Sequence, residues 1–235
     1  MPLPILKHPV HKATLPSSGK TVQFRPMVGL EEKILLTARE SDDTRDALAA
    51  VRQVVNNCVL DVNVSVDDMT TFDLEWLFLQ IRSASISNIS KVWLVDPDDG
   101  KRYEFEIDLA QVKVVTPEAP EPKIDLGNGV GVSLCWPKGK LYKNETTITE
   151  DNAADILLGA CIDKVFENDS VMVASEHSYE ELAQWVSGFD IQALEKLRAW
   201  IQACPHMSYT ISYEDKAGKL KTYEMTGLGD FFEFS

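Results

Sequence analysis

Apolar residues recur at helical spacing in the first third of the chain. Between Ala47 and Val59 the spacing alternates between three and four positions, which predicts a helix with one buried face. Residues 70–85, with Thr70 or Thr71 as the cap, are apolar on nearly every side between Leu74 and Ile81, which predicts a central helix packed on more than one face. A further helix is predicted near Leu30 to Arg39, because Glu31 and Glu32 in its first turn suit the helix dipole.

The second half of the chain returns to helical spacing from about residue 144. One helix is predicted over Asn152 to Val165, with its apolar residues on one side. Ser178 and Glu181 form a capping box that begins a short helix. Its apolar residues are Leu182, Trp185 and Val186. Asp190 caps another predicted helix, which ends before Pro205.

Alternating apolar and polar residues predict β-hairpins between these helical segments. Residues 92–107 alternate on either side of an Asp-Pro-Asp-Asp-Gly turn, and residues 209–225 repeat this arrangement with a turn at 215–218. The two hairpins share a local design, which does not by itself establish a duplication. Residues 112–114 and 130–134 are predicted to continue the first sheet.

The order of these elements predicts an α+β fold, in which helical bundle segments are packed with antiparallel β-hairpins. Residues 1–143 are predicted to form an N-terminal α+β region with an extended arm, three helices and an antiparallel sheet. Residues 144–235 are predicted to form a C-terminal helical region that ends in a β-hairpin.

The charge of the chain limits the classes of partner. The 235 residues carry a net charge of −14, so they repel nucleic-acid backbones and anionic lipid, and we expect neither nucleic acid nor a membrane as a partner. No apolar run approaches the roughly 20 residues of a membrane span. Residues 1–9 lack the apolar core of a signal peptide, so we expect the protein to stay in a cytoplasm after synthesis.

Gly19-Lys20-Thr21 matches the end of a nucleotide-binding P-loop. The complete motif needs glycine at position 14, where Thr14 stands, and a helix directly after the loop. Residues 21–24 alternate as a strand does, and Pro26 disfavours a helical conformation at Arg25. We therefore predict a hairpin turn with a solvated Lys20, with ATP binding as the alternative.

The sequence contains no recognisable catalytic or metal-binding motif. It has no Cys-x-x-Cys pair, no Gly-x-Ser-x-Gly and no His-Glu-x-x-His. Cys58 and Cys161 lie on apolar helix stripes and are predicted to be small buried hydrophobes. We therefore predict that the protein is not an enzyme and takes no cofactor and no metal, with an unrecognised enzyme or binding module as the alternative.

Several segments in order carry a resemblance to a known family. They read LPSSGKTVQFRPMVGLEEKILLTA at 15–38, VVNNCV at 54–59, TFDLEWLFLQIRSAS at 71–85 and GLGDFF at 227–232. Together with the order of the later elements, they resemble the baseplate hub proteins of T-even-like contractile-tailed bacteriophages. Some relatives carry cysteine pairs in the last hairpin, but residues 208–232 contain none, so the resemblance supports no metal here.

The resemblance implies a virion structural subunit of the baseplate hub, needed for tail assembly around the central spike and tube. Its partners would be other hub and wedge proteins and tail spike or tube-initiator proteins. It would lie in the host cytoplasm during assembly and in the tail baseplate of the virion. The alternative from the same resemblance is an assembly chaperone that is absent from the mature virion.

Three segments are predicted to contact partners: the proline-rich arm 2–9, the acidic loop 117–122 and the aromatic tail. The alternative for the arm is a disordered terminus. The alternative for Phe231 and Phe232 is docking onto the core of the chain itself. The individual contact residues predicted are Pro4, Ile5, Phe232 and Phe234.

Overall fold

The computed structural model describes residues 6–41, 43–98, 100–143, 148–149 and 151–232. Contacts between Cα atoms divide these residues into two compact units. Unit 1 takes its residues from 1–66, 72–115 and 206–235, and unit 2 takes its residues from 67–71 and 116–205. In the order of the sequence, most of unit 2 therefore lies between two segments that belong to unit 1. The domain boundary between residues 143 and 144 stays a prediction.

The described residues form helices and antiparallel strands, which confirms the predicted α+β class. The helices are α1 (Gly29–Arg39), α2 (Thr44–Cys58), α3 (Thr71–Ser85), α4 (Ala153–Ala160), α5 (Tyr179–Val186), α6 (Ile191–Gln202) and α7 (Leu228–Phe231). The strands are β1 (His11–Thr14), β2 (Thr21–Phe24), β3 (Ile89–Val95), β4 (Arg102–Asp108), β5 (Lys113–Val115), β6 (Lys123–Gly127), β7 (Val130–Leu134), β8 (Ile162–Glu167), β9 (Ser170–Val173), β10 (His206–Glu214) and β11 (Leu220–Met225).

The strands of unit 1 pair as β1–β2, β3–β4 and β11–β10–β5, and those of unit 2 as β6–β7–β8–β9. Both predicted hairpins are confirmed, with Val92 opposite Phe105 and Tyr209 opposite Met225. The prediction that residues 112–114 and 130–134 continue the first sheet is wrong, because β5 pairs with β10 and β7 pairs with β6 and β8. Alternation identifies a strand, but every strand offers the same backbone groups, so it does not identify the neighbour.

Helices α2 and α3 supply much of the core of unit 1. On α2 the predicted stripe is confirmed, since Val51, Val54, Val55 and Cys58 are fully buried. On α3 the predicted all-round burial is also confirmed; the buried residues are Phe72, Asp73, Leu74, Leu77, Phe78, Leu79 and Ile81. A helix buried on several sides fixes the positions of the elements around it.

The helix predicted over Asn152 to Val165 is only partly confirmed. Helix α4 ends at Ala160, and the chain continues as β8, in which Val165 lies opposite Val132 of β7. The spacing of the apolar residues fits a helix through Val165. The β-branched Ile162 and Val165 favour a strand, and pairing with β7 satisfies their backbone groups.

Unit 2 has its own core between the sheet and helices α4–α6. The indole N–H of Trp200 donates to the carbonyl of Cys135 over 3.0 Å, and the Trp200 ring stacks on Trp136 at 4.0 Å between centroids. The buried residues of this core are Ile124, Val132, Leu134, Leu158, Cys161, Ile162, Val165, Ala174, Leu182, Val186, Ala193, Leu197 and Trp200.

Helices α4 and α5 approach closely at Gly159. A Cβ atom at this position would lie 2.9 Å from the backbone nitrogen of Ala183 and 3.1 Å from Leu182. Because the obstacle is backbone, the helices would have to separate to admit a side chain. Glycine is therefore required here by packing, in a helix where it is otherwise unfavourable.

We expect Gly159→Ala to destabilise the protein by about 1 kcal/mol in urea unfolding. Overpacking costs about 1–3 kcal/mol, whereas the higher helix propensity of alanine returns about 1 kcal/mol. Gly29→Ala at the start of α1 is the matched control, since its Cβ would meet nothing within 4 Å. A Gly159→Ala variant that is more stable than the wild type would contradict this packing account.

The first turn of α1 contains a buried ion pair. Glu31 is fully buried, and its carboxylate accepts hydrogen bonds from the Arg25 guanidinium at 3.0 and 3.1 Å. The Val28 N–H donates to the same carboxylate over 2.9 Å. Burial raises the pKa of Glu31, but the bonds from Arg25 and Val28 and the Arg25 charge bring it below its ordinary value. Glu31 is therefore ionised in the folded protein at neutral pH.

This pair makes stability depend on pH in a defined direction. Because the folded pKa of Glu31 lies below the unfolded value of about 4.3, its ionised form stabilises the folded state above that value. The contribution is lost as the pH falls through the folded pKa. We expect the difference in unfolding free energy between wild type and Glu31→Gln to be larger at about pH 7 than at about pH 3.5. An equal difference in urea unfolding at both pH values would contradict the role of Glu31.

A second buried carboxylate lies between the hairpins β3–β4 and β10–β11 of unit 1. Asp96 is fully buried, and it accepts hydrogen bonds from Lys221 Nζ at 2.8 and 2.9 Å and from the Tyr213 hydroxyl at 2.8 Å. The Tyr213 ring also packs against Tyr103, with 4.9 Å between centroids. Hydrogen bonds to Asp96 and Asp98 raise the pKa of Lys221, which keeps its charge. These contacts connect the hairpin β3–β4 to the hairpin β10–β11.

Candidate partner-binding surfaces

The Gly19-Lys20 segment is a hairpin turn, as predicted. It joins β1 to β2, and the Leu15 N–H donates to the Lys20 carbonyl over 2.8 Å. Gly19 has a φ of 67°, in the left-handed region that glycine favours. A strand follows the turn, so no helix N-terminus is available for a phosphate, and the P-loop interpretation is wrong.

Of the predicted partner contacts, only Phe232 can be located. Pro4, Ile5 and Phe234 lie outside the described residues. Phe232 is 9% exposed and meets Phe78 of α3 edge to face, with 5.4 Å between ring centroids. Phe231 is fully buried, so docking of this pair on the core of unit 1 is confirmed. A contact between Phe232 and a partner stays a prediction.

The described parts of the other two predicted segments lie at the surface. In the arm, Leu6 is 76% exposed, although it is apolar. In the loop, residues 118–122 are exposed and Pro117 is partly buried. Both segments are accessible to a partner, and their role as contacts stays a prediction.

A concave groove in unit 2 surrounds Trp185. Two adjoining cavities of about 350 and 410 Å³ share Val130 and Trp185 in their walls. We call them together the Trp185 groove. The first cavity is also lined by Val165, Glu167, Met172, Ala174, His177, Glu181 and Leu182. The second is also lined by Leu126, Gly127, Asn128, Gly188, Phe189 and Asp190.

Helix α5 positions Trp185 in the groove. The predicted capping box is confirmed, since the Glu181 N–H donates to Ser178 Oγ over 3.1 Å and the Ser178 N–H donates to Glu181 over 2.9 Å. Leu182 and Val186 are buried in the core, while Trp185 stays 37% exposed. Its ring is supported edge to face by Phe189 at 4.8 Å between centroids. Tryptophan is one of the residue types enriched at the positions that contribute most to protein–protein binding.

The chain around the groove is strongly acidic. Residues 163–190 contain seven Asp or Glu residues and a single lysine, Lys164. Glu167 and Glu181 line the groove itself, and His177 Nδ1 lies 3.7 Å from the Glu181 carboxylate. The surface therefore combines an apolar floor with negative charge, which favours a partner that is apolar and basic.

The groove is bordered by β9, which lies at the edge of the sheet. Within the described part of the chain, β9 is hydrogen-bonded along one side only, to β8. All four residues of β9 are exposed, with Val171 at 55%, Met172 at 40% and Val173 at 37%. An edge strand presents backbone groups that can pair with another strand.

Comparison with known proteins gives the chain a family. The model of the T4 bacteriophage base plate protein family matches residues 8–233. The chain belongs to this family. No curated protein and no solved structure matches the chain. The protein is therefore a phage baseplate protein, and the baseplate places it in the tail of the virion.

The described residues of this baseplate protein contain neither a metal-binding cluster nor a membrane-spanning helix. Among them no group of three or more His, Cys, Asp or Glu side chains could hold a metal ion, and no helix is long and apolar enough to cross a membrane. Cys58 and Cys161 are fully buried, as predicted. Burial raises the pKa of Cys58 to about 11, so its thiol stays protonated at neutral pH.

Sequence reasoning missed the Trp185 groove of the baseplate protein. Spacing placed Trp185 on the apolar face of α5 with Leu182 and Val186, but spacing does not show that Trp185 stays partly exposed. The strand β9 was also missed, although Asn168 and Asp169 before it are residue types that favour turns. Asn168 has a φ of 52°, as the first residue of a two-residue hairpin turn requires. Recognising this turn would have predicted β8 and β9 together.

Proposed function

We propose that this baseplate protein is a structural subunit of the baseplate hub that stays in the mature particle and is needed for tail assembly around the central spike and tube. The observation that carries the proposal is the family match over residues 8–233, which runs through both units. The segments at 15–38, 54–59, 71–85 and 227–232, which resemble hub proteins, support the hub in particular.

The physical properties of the chain support a structural role in an assembly. A subunit of this kind needs rigid elements, and the buried helix α3 and the Asp96 contacts provide them in unit 1. It also needs surfaces for other proteins, and the acidic Trp185 groove is suited to one. The net charge of −14 favours protein partners over nucleic acid. We propose other hub and wedge proteins and tail spike or tube-initiator proteins as these partners.

Quantitative mass spectrometry of purified tails tests the hub proposal. We expect the chain in a fixed ratio to the other baseplate proteins. We also expect particles made without it to lack complete baseplates in electron micrographs, with the wild-type chain restoring them. Abundance in infected cells together with absence from purified tails would contradict the proposal and identify an assembly chaperone instead.

A further inference from the structure

We propose that β9 and the Trp185 groove bind an extended segment of another baseplate protein that carries apolar and basic side chains. The segment would pair with β9 as a fifth strand of the unit 2 sheet. The proposal rests on the proposed function only in naming the partner as a baseplate protein. The exposed edge of β9, the Trp185 groove and the negative charge around the groove support the proposal whether or not the proposed function holds.

The backbone of β9 is available for pairing. Natural proteins protect exposed edge strands by keeping them short, or with a proline, a charged residue or a bulge, and β9 has only four residues. Ser170–Val173 contains neither proline nor charge, and its register with β8 is regular from Glu167–Ser170 to Lys164–Val173. A strand added here would gain main-chain hydrogen bonds whatever its sequence.

The side chains beside β9 supply specificity. Met172 faces the groove, and alternate residues of an added strand would point to the same face of the sheet, over the groove next to Met172. The apolar walls and the half-exposed Trp185 can hold apolar side chains there. On the opposite face, Val171 and Val173 offer a second exposed apolar surface. The partner segment is therefore apolar at alternate positions.

The charge around the groove selects a basic partner. Residues 163–190 carry seven acidic residues and one lysine, and Glu167 and Glu181 lie in the groove wall. Lysine or arginine on the added strand would complement this field. In a two-fold symmetric dimer both copies use the same surface, so pairing of two β9 strands would bring two acidic surfaces together. The field therefore favours a different, basic chain over a homodimer.

Site-specific photo-cross-linking in infected cells tests this inference on the full-length protein. Val171 is replaced by p-benzoylphenylalanine, and the control carries the same residue in place of Leu220, which is 68% exposed in unit 1. We expect position 171 to cross-link one segment of another baseplate protein, with alternating apolar residues and a net positive charge. A cross-link to a second copy, to an acidic segment or to a helix, or none above the control, would overturn the inference.

A synthetic peptide of the cross-linked segment gives the second measurement. We expect Trp185→Ala to weaken binding to the purified protein at least tenfold in fluorescence anisotropy, as for a residue at the centre of an interface (about 1.4 kcal/mol per tenfold). Trp93→Ala is the matched control, because Trp93 is a 42% exposed tryptophan of unit 1. Equal weakening by both variants, or none by Trp185→Ala, would overturn the inference.

The results separate this inference from the proposed function. If the chain is absent from purified tails but cross-links a basic strand in infected cells, the hub proposal fails and the binding surface stands. If the chain is present in tails but position 171 cross-links nothing above the control, the hub proposal stands and the binding surface fails.

Discussion

Arg25→Met is expected to destabilise the protein by about 3–5 kcal/mol, because it leaves the carboxylate of Glu31 buried without its cation. Glu31 is fully buried, and Arg25 donates to both of its oxygens. The other donors include the Val28 N–H at 2.9 Å and the Asn57 amide at 3.4 Å, and neither carries a charge. Urea unfolding of the purified variant at neutral pH measures the loss.

A matched control separates burial from the mere presence of an ion pair. Arg45 bonds Asp43 at 2.6 Å, but its side chain is 51% exposed, so we expect Arg45→Met to leave stability unchanged. The double variant Arg25→Met with Glu31→Leu should recover stability relative to Arg25→Met alone, because it removes the stranded charge. Equal effects of Arg25→Met and Arg45→Met would contradict the role of the buried pair.

Phe231→Ala is expected to cost about 3–5 kcal/mol, the range for deleting a buried aromatic side chain. The Phe231 side chain is fully buried in unit 1, and its carbonyl accepts a hydrogen bond from the Ser90 hydroxyl at 3.2 Å. The loss combines the apolar contacts of the ring with the cavity left behind. Urea unfolding measures it, and Leu220→Ala, at a 68% exposed site, should change stability by less than about 0.5 kcal/mol.

The same series distinguishes the two roles considered for the aromatic tail. A Phe231→Ala variant as stable as Leu220→Ala would show that the ring does not belong to the core. The ring of Phe232 lies against Phe78, so a loss of stability in Phe232→Ala would indicate core packing. Unchanged stability with a loss of baseplate assembly would instead indicate a contact with a partner.

The sequence predicted helices α2 and α3 well because each has a clear apolar pattern. On α2 the stripe alone predicts the buried face, and on α3 the continuous apolar sequence predicts burial on several sides. The buried state of Glu31 could not be predicted in this way. Acidic residues in a first turn are common on exposed helices, and the pairing with Arg25 depends on where the chain before α1 runs.

The candidate site could be predicted only in part, because it depends on which strands become neighbours. The capping box predicts α5, and spacing places Trp185 on its apolar side. Whether that side is completely covered by other residues depends on the position of β9. The apolar spacing of α4 continues through Ile162 and therefore predicts a longer helix in place of the strands that follow α4. The exposed edge is a property of the sheet order β6–β7–β8–β9, which no local pattern contains.

The pairing of β5 with β10 has a consequence for the order of folding during translation. Val115 lies opposite His206, so the ribosome must add about 90 residues after β5 before its neighbour exists, which takes about 5–20 s at typical bacterial rates. The residues made in that interval supply most of unit 2. Unit 1, whose synthesis starts first, is therefore completed last. Throughout this interval the edge of β5 that later pairs with β10 has no neighbouring strand.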